Sequence, residues 1–269
     1  MRVAPDKMAW IPLVLALLTR CSPEPAPAPT TPAPAAPSGP VLGRGEVAFP
    51  SGSEQVVAYL ARPKGQGPFP ALVVIHEWWG LNDQIRDMAD QLARQGYLSL
   101  ALDLYRGKQT DNPEQAHELM RGLPEDRALR DLAAAFAYLK ASPEVKPDRI
   151  GSIGWCMGGG YSIKLAVAEP TLAACAVYYG ALPTERESLS AIKAPVLGFF
   201  GDKDEGIPES SVLAFEKAMQ ELGKPVEVHV YRNAGHGFAN PDGKNFHTLA
   251  ADDAWGKLKA FFGKHLKGA

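Results

Sequence analysis

Cys156 sits in the stretch IGSIGWCMGGG, residues 150–160, where an apolar run meets a cluster of glycines. A nucleophile carried on a sharp strand-to-helix turn follows the pattern G-x-S-x-G, and the central position here holds a thiol. Such a turn strains the backbone at the nucleophile and needs small neighbours so that strand and helix can approach. Gly154, Gly158 and Gly159 supply them. A thiol in the first turn of a helix also feels the positive end of the helix dipole, which favours thiolate. By itself the stretch fits equally well a small buried cysteine beside a glycine-rich turn.

Two further residues would give the thiol chemistry. His236, in AGHGF, could take its proton as a base, and Asp204, in GDKDEGIP, could fix the imidazole tautomer and orientation. Asp202 in the same loop is a rival acid, either aspartate could be a turn residue, and His236 could be a satisfied loop histidine. The backbone N–H of Met157, just after the thiol, and that of Trp78 are the candidate oxyanion donors.

The elements that must hold these groups are readable from apolar patterning. Short β-rich segments occur at 45–50 and 55–63, the second alternating like a half-buried antiparallel strand. Continuous apolar runs follow at 71–76, 98–104, 149–154, 173–180, 194–201 and 226–231, as expected of strands covered on both faces. Helical periodicity lies between or after them at 83–96, 125–142, 157–169, 209–223 and 250–266. Repeated strand–helix units after two leading antiparallel strands imply an α/β protein with a mostly parallel, doubly wound sheet. Sites in such sheets lie beyond the carboxyl ends of the strands. Cys156, Asp204 and His236 each follow such an end, in the nucleophile, acid, base order of α/β-hydrolases.

From about Glu46 to Phe262 the chain resembles the dienelactone hydrolase family of α/β-hydrolases, through VVIHEWWGLN, LALDLYRGK, IGWCMGGGYS, GFFGDKDEGIP and YRNAGHGFAN. The cysteine in the elbow and the glutamate in HEWWG set this family apart from serine hydrolases of the same fold. The resemblance implies hydrolysis of an ester or lactone, with nucleophile Cys156, base His236 and acid Asp204, which precedes Pro208 by four residues as the family acid does. It also implies that Glu77 pairs with the resting thiol and helps to generate the thiolate when substrate displaces it. A carboxylate beside Trp78 and Trp79 should have a raised pKa, which suits that role; the plainer reading is a surface loop carboxylate. The candidate substrate-binding residues are Tyr105, Arg106 and Asn240. Family members that act on dienelactone carry an arginine four residues beyond the histidine, and this chain has Asn240 there. Their second arginine, near the DLY segment, finds Arg106 shifted by about one position.

The 269 residues carry a formal charge of -2, with no basic face for nucleic acid. No His/Cys cluster has metal-ligand spacing, no cofactor is implied, and the protein is read as a monomer. Residues 1–21 read as an export signal, with the apolar stretch Met8 to Leu18 behind Arg2 and Lys7. Residues 22–40 form a Pro/Ala-rich tether, and 41–269 the hydrolase-like domain. Leu18-Thr19-Arg20-Cys21 resembles a lipoprotein lipobox in which Cys21 would be lipidated, although Arg20 occupies a position normally held by a small residue. Membrane contact would come only through that anchor. Ordinary cleavage to a soluble exported protein and an uncleaved helical anchor are the alternatives.

Cys156 and Cys175 should stay unpaired, because their places on neighbouring strands put their Cα atoms on the order of 10 Å apart. A reading from another class is an exported, non-catalytic binding protein that retains the fold.

Overall fold

A computed structural model describes residues 43–268. The expected export signal, the tether and Cys21 lie outside the described residues.

Eight strands form one sheet: β1 (Gly43–Ser51), β2 (Glu54–Arg62), β3 (Phe69–Ile75), β4 (Leu98–Leu102), β5 (Val145–Trp155), β6 (Ala174–Tyr178), β7 (Val196–Gly201) and β8 (Val226–Tyr231). Their spatial order is β1-β2-β4-β3-β5-β6-β7-β8. β1 pairs antiparallel with β2 and β2 antiparallel with β4, while every later pairing is parallel. This is the architecture implied by the two alternating segments and the apolar runs behind them.

The helices are α1 (Asp83–Arg94), α2 (Pro113–Arg121), α3 (Glu125–Ala141), α4 (Met157–Ala168), α5 (Arg186–Ala191), α6 (Glu209–Glu221) and α7 (Thr248–Phe262), with a π turn over Gly263–Lys267. Successive side chains of a strand point to opposite faces. Val73 and Ile75 of β3 therefore join the core under α3, α4 and α6, while Leu72 and Val74 join the core under α1 and α7. That is why the inner strands read as unbroken apolar runs: β4, LSLAL, is buried at all five positions.

Two helices have no counterpart in the apolar periodicity. α2 carries clear start signals, with the Asn112 side chain accepting from the Glu114 and Gln115 amides and proline in its first turn. It buries only Ala116, so it shows little apolar stripe to detect. α5 has six residues, too few for a period to emerge.

The register aligns the strand ends. Ile75 lies opposite Gly154, Trp155 opposite Tyr178, and Gly201 opposite Tyr231. The loops that follow β3, β5, β6, β7 and β8 thus emerge along one edge of the sheet. Cys175 lies opposite Ser152, well inside the sheet, whereas Cys156 lies beyond the end of β5, and both thiols are free. Burial pushes the Cys175 thiol up to about 11 despite hydrogen bonds from serines, which marks it as a packing residue.

Candidate active site

The turn from β5 into α4 is a strained elbow. Cys156 caps α4 with φ 53° and ψ -119°, a backbone region that non-glycine residues seldom enter. Its N–H donates to the Tyr178 carbonyl at 3.0 Å. The glycines around it are required by space. A Cβ on Gly154 would sit 2.1 Å from the Gly158 carbonyl oxygen, and one on Gly158 would sit 2.3 Å from the Ile75 oxygen. Gly159 faces the Tyr178 oxygen at 2.7 Å in the same sense. Strand and helix therefore meet at backbone contact, and the thiol is presented at the sheet edge.

The β7 and β8 loops bring the acid and the imidazole. His236 Nδ1 donates to Asp204 Oδ2 at 2.7 Å. The other Asp204 oxygen accepts from the amides of Gly206 and Ile207, at 2.9 and 3.0 Å, and the side chain is fully buried. Asp202 has a different task. Its Oδ1 accepts from the Asn233 amide at 2.7 Å and it faces Arg232 and Lys203, so it closes the turn between two loops. The Asn245 side-chain amide donates to the His236 carbonyl at 2.8 Å and steadies the histidine loop.

Burial alone would lower the pKa of the His236 ring. Its hydrogen bonds with Asp204 and Cys156 more than reverse this and push it up to about 10. A protonated ring held between a carboxylate and a sulfur is the partner that a thiolate needs. Because the folded value lies above the ordinary 6.5, the stability it contributes is full below pH 6.5 and is lost as pH rises toward 10. An NMR titration of the ring protons should show no step near 6.5; a step there would mean that the ring is not engaged.

Glu77 is buried, and both oxygens are taken by residues far away in sequence. Asn240 Nδ2 donates to Oε2 at 2.7 Å and the Tyr179 hydroxyl donates to Oε1 at 3.3 Å. Burial raises the Glu77 carboxyl pKa, against the opposing pull of Asn240, the His236 charge and Tyr179. The hydrogen bonds that hold the Glu77 carboxylate come from Asn240 and Tyr179, and none comes from the Cys156 thiol among the described residues. Asn240, expected to face substrate, instead holds Glu77. Tyr179, which went unnoticed at the end of its strand, links both halves of the site. Its ring lies edge-on to His236 at 5.2 Å, and its backbone adopts φ 36°.

The β4 loop divides the tentative substrate residues. Tyr105 is buried and its hydroxyl donates to Met157 Sδ at 3.2 Å, which puts it at the site. Arg106 is not available there. It bonds the buried Asp131 at 2.7 Å and Glu54 at 3.0 Å, so its charge is neutralised toward α3 and β2. His76, also missed in the sequence, is fully buried and sits between the Glu77 carbonyl and the Leu104 amide, which ties the β3 and β4 loops together. Burial lowers its pKa, so it is a neutral brace with Nδ1 donating and Nε2 accepting. Trp78 packs against Trp79 and His117. The Trp78 N–H has no acceptor among the described residues, and the Met157 N–H, heading α4, has no carbonyl four residues back within the helix. Both expected oxyanion donors are therefore unspent.

The sequence profile of the dienelactone hydrolase family matches residues 56–266. A Bradyrhizobium protein named a probable 2-oxo-3-(5-oxofuran-2-ylidene)propanoate lactonase is 32% identical over 228 residues, 80% of this chain and 92% of that protein. A candidate carboxymethylenebutenolidase of Synechocystis is also 32% identical, over 82% of this chain and 96% of its own length. The crystal structure of a candidate dienelactone hydrolase from Klebsiella pneumoniae superposes with a TM-score of 0.77 at 31% identity, covering 84% of this chain and 99% of that one. With the profile spanning most of the chain and the elbow, sheet order and loop sites in place, the protein belongs to the dienelactone hydrolase family.

Proposed function

We propose that Cys156, His236 and Asp204 act as a catalytic triad that cleaves a carboxylic ester or lactone. The observation that carries this reading is the 2.7 Å bond from His236 to a buried Asp204, beside a cysteine in a strained elbow. The names of the Bradyrhizobium and Synechocystis relatives support the substrate class.

The chemistry follows from the geometry. The Cys156 sulfur, its proton held on His236, attacks the carbonyl carbon, and the carbonyl oxygen takes the negative charge. The amides of Met157 and Trp78 receive that oxyanion. Collapse breaks the ester C–O bond, and the His236 proton passes to the departing oxygen, leaving an acyl thioester. Water then gives its proton to His236 and attacks the thioester carbon, and release of the acid returns the sulfur to its starting state. Asp204 keeps the ring in the right tautomer through both halves and is not itself protonated. Glu77, anchored by Asn240 and Tyr179, positions the β3 loop that carries the Trp78 amide.

Brief mixing with p-nitrophenyl acetate, quenched in acid, should yield an acetyl group on the peptide that contains Cys156. An exported binding protein without turnover would give release of p-nitrophenol no faster than buffer and no adduct on that peptide. Such a result would favour the binding reading over the enzyme.

A further inference from the structure

Next to Glu77 the β3 loop places two tryptophans, both half-buried, and α2 sets His117, an exposed residue, against them. The Trp78 and Trp79 rings have centroids 4.8 Å apart and planes at 62°, and Trp78 meets His117 at 4.7 Å and 85°. Neither contact is a flat stack. Aromatic rings favour such edge-to-face and offset arrangements, and partly open rings set at steep angles offer an edge or a face to a further ring. α2 buries only Ala116, so its own apolar packing does little to seat it, and the His117 contact is what joins it to the site.

The loop that presents the two indoles is braced. The Thr110 N–H donates to the Trp79 carbonyl at 3.0 Å, and Gly80 turns at φ 92° so close to the β4 loop that a Cβ would lie 2.5 Å from the Lys108 oxygen. Little is lost in ordering a surface already held this way.

The sheet order decides which half of a substrate meets this surface. β3 and β4 lie on one side of β5, and β6, β7 and β8 lie on the other. His236, after β8, approaches Cys156 from that second side, and the departing oxygen must lie toward it to receive a proton. The acyl group is then left on the side of the β3 and β4 loops, where the Tyr105 hydroxyl already reaches Met157. A carbonyl oxygen received by the Trp78 N–H also lies within one side-chain length of the Trp78 indole.

We propose that the acyl half of the substrate carries a flat aromatic ring and that this ring packs against Trp78, with Trp79 and His117 holding the indole in place. The assignment of the acyl side rests on the triad reading.

The test compares ethyl phenylacetate with ethyl cyclohexylacetate, which match in size and in the saturated carbon beside the carbonyl. After correction for their rates with hydroxide, wild type should favour the phenyl ester in kcat/KM by about three- to tenfold, through KM. Trp78→Leu should abolish the preference and Trp78→Phe should keep most of it. No preference in wild type, or a Trp78→Leu variant that slows both esters alike, would mean that the indole only packs the loop. A readout free of turnover separates this proposal from the triad. Phenylacetamide should slow modification of Cys156 by iodoacetamide more than cyclohexylacetamide does in wild type, and the two should act alike in Trp78→Leu. Turnover of neither ester would defeat the triad reading alone, whereas equal or absent protection by the two amides in wild type would overturn the ring site.

Discussion

Cys156→Ala should lower kcat/KM for p-nitrophenyl acetate by roughly 10⁴- to 10⁶-fold, the range seen when the nucleophile of a triad is removed. The Cys156 side chain is half-buried at a helix start, makes no capping hydrogen bond to α4 and is hydrogen-bonded to His236, so thermal unfolding should shift little. His236→Gln should fall in the same range, and the double variant should be hardly worse than either single one. Nucleophile and base act as a unit, so their losses do not add. Turnover of Cys156→Ala within tenfold of wild type would remove the cysteine from the reaction. A double variant that multiplied the two losses would mean that sulfur and imidazole act in separate steps.

Gly158→Ala is the second large expectation, and it concerns how the elbow is built. The new methyl carbon would lie 2.3 Å from the Ile75 oxygen and 2.5 Å from the His76 oxygen. Both are backbone atoms at the end of a central strand, so nothing nearby can rotate away. Overpacking of a well-filled interior costs about 1–3 kcal/mol, and clashes with fixed backbone belong at the upper end or beyond. For a chain of this size that corresponds to a fall in Tm of about 6 °C or more. Activity should drop as well, because the displaced first turn of α4 carries both Cys156 and the Met157 amide. Gly160→Ala is the matched control. Its methyl carbon would meet Ala181 atoms no nearer than 3.5 Å, and alanine is the better helix former by about 0.5–1 kcal/mol. Calorimetry should find the Gly160 variant as stable as wild type or more so. Equal losses for both glycines would show that the elbow tolerates no change for some other reason than contact with β3.

Gly158 also explains why the elbow was so legible. The constraint is local, since a strand and a helix that meet at backbone distance need small residues at fixed spacings around the turn, and local spacing is what a sequence displays. The buried strands were legible for a similar reason: burial on both faces of a sheet forces continuous apolar runs, as in β4. The order of the proposed triad followed, because Cys156, Asp204 and His236 each stand just past one of those runs. α2 and α5 were hidden, the first by having one buried residue and the second by its length.

The partners of the polar groups were another matter. Nothing in GDKDEGIP separates Asp204 from Asp202 except a resemblance; the fold separates them by giving one to His236 and the other to the Asn233 amide. Glu77 meets Tyr179 at a sequence separation of 102 and Asn240 at one of 163. Arg106 reaches Asp131 on α3, and Arg127, two residues into that helix, is left with a backbone carbonyl. Sequence by itself determined the sheet, the elbow and which three groups could react, because periodicity and glycine spacing record burial and close approach directly. Only the tertiary structure decided which carboxylates and cations are already spent on one another inside the fold. Buried donors and acceptors compete for one another in space, and the winner depends on where the strand ends bring them, not on how far apart they lie along the chain.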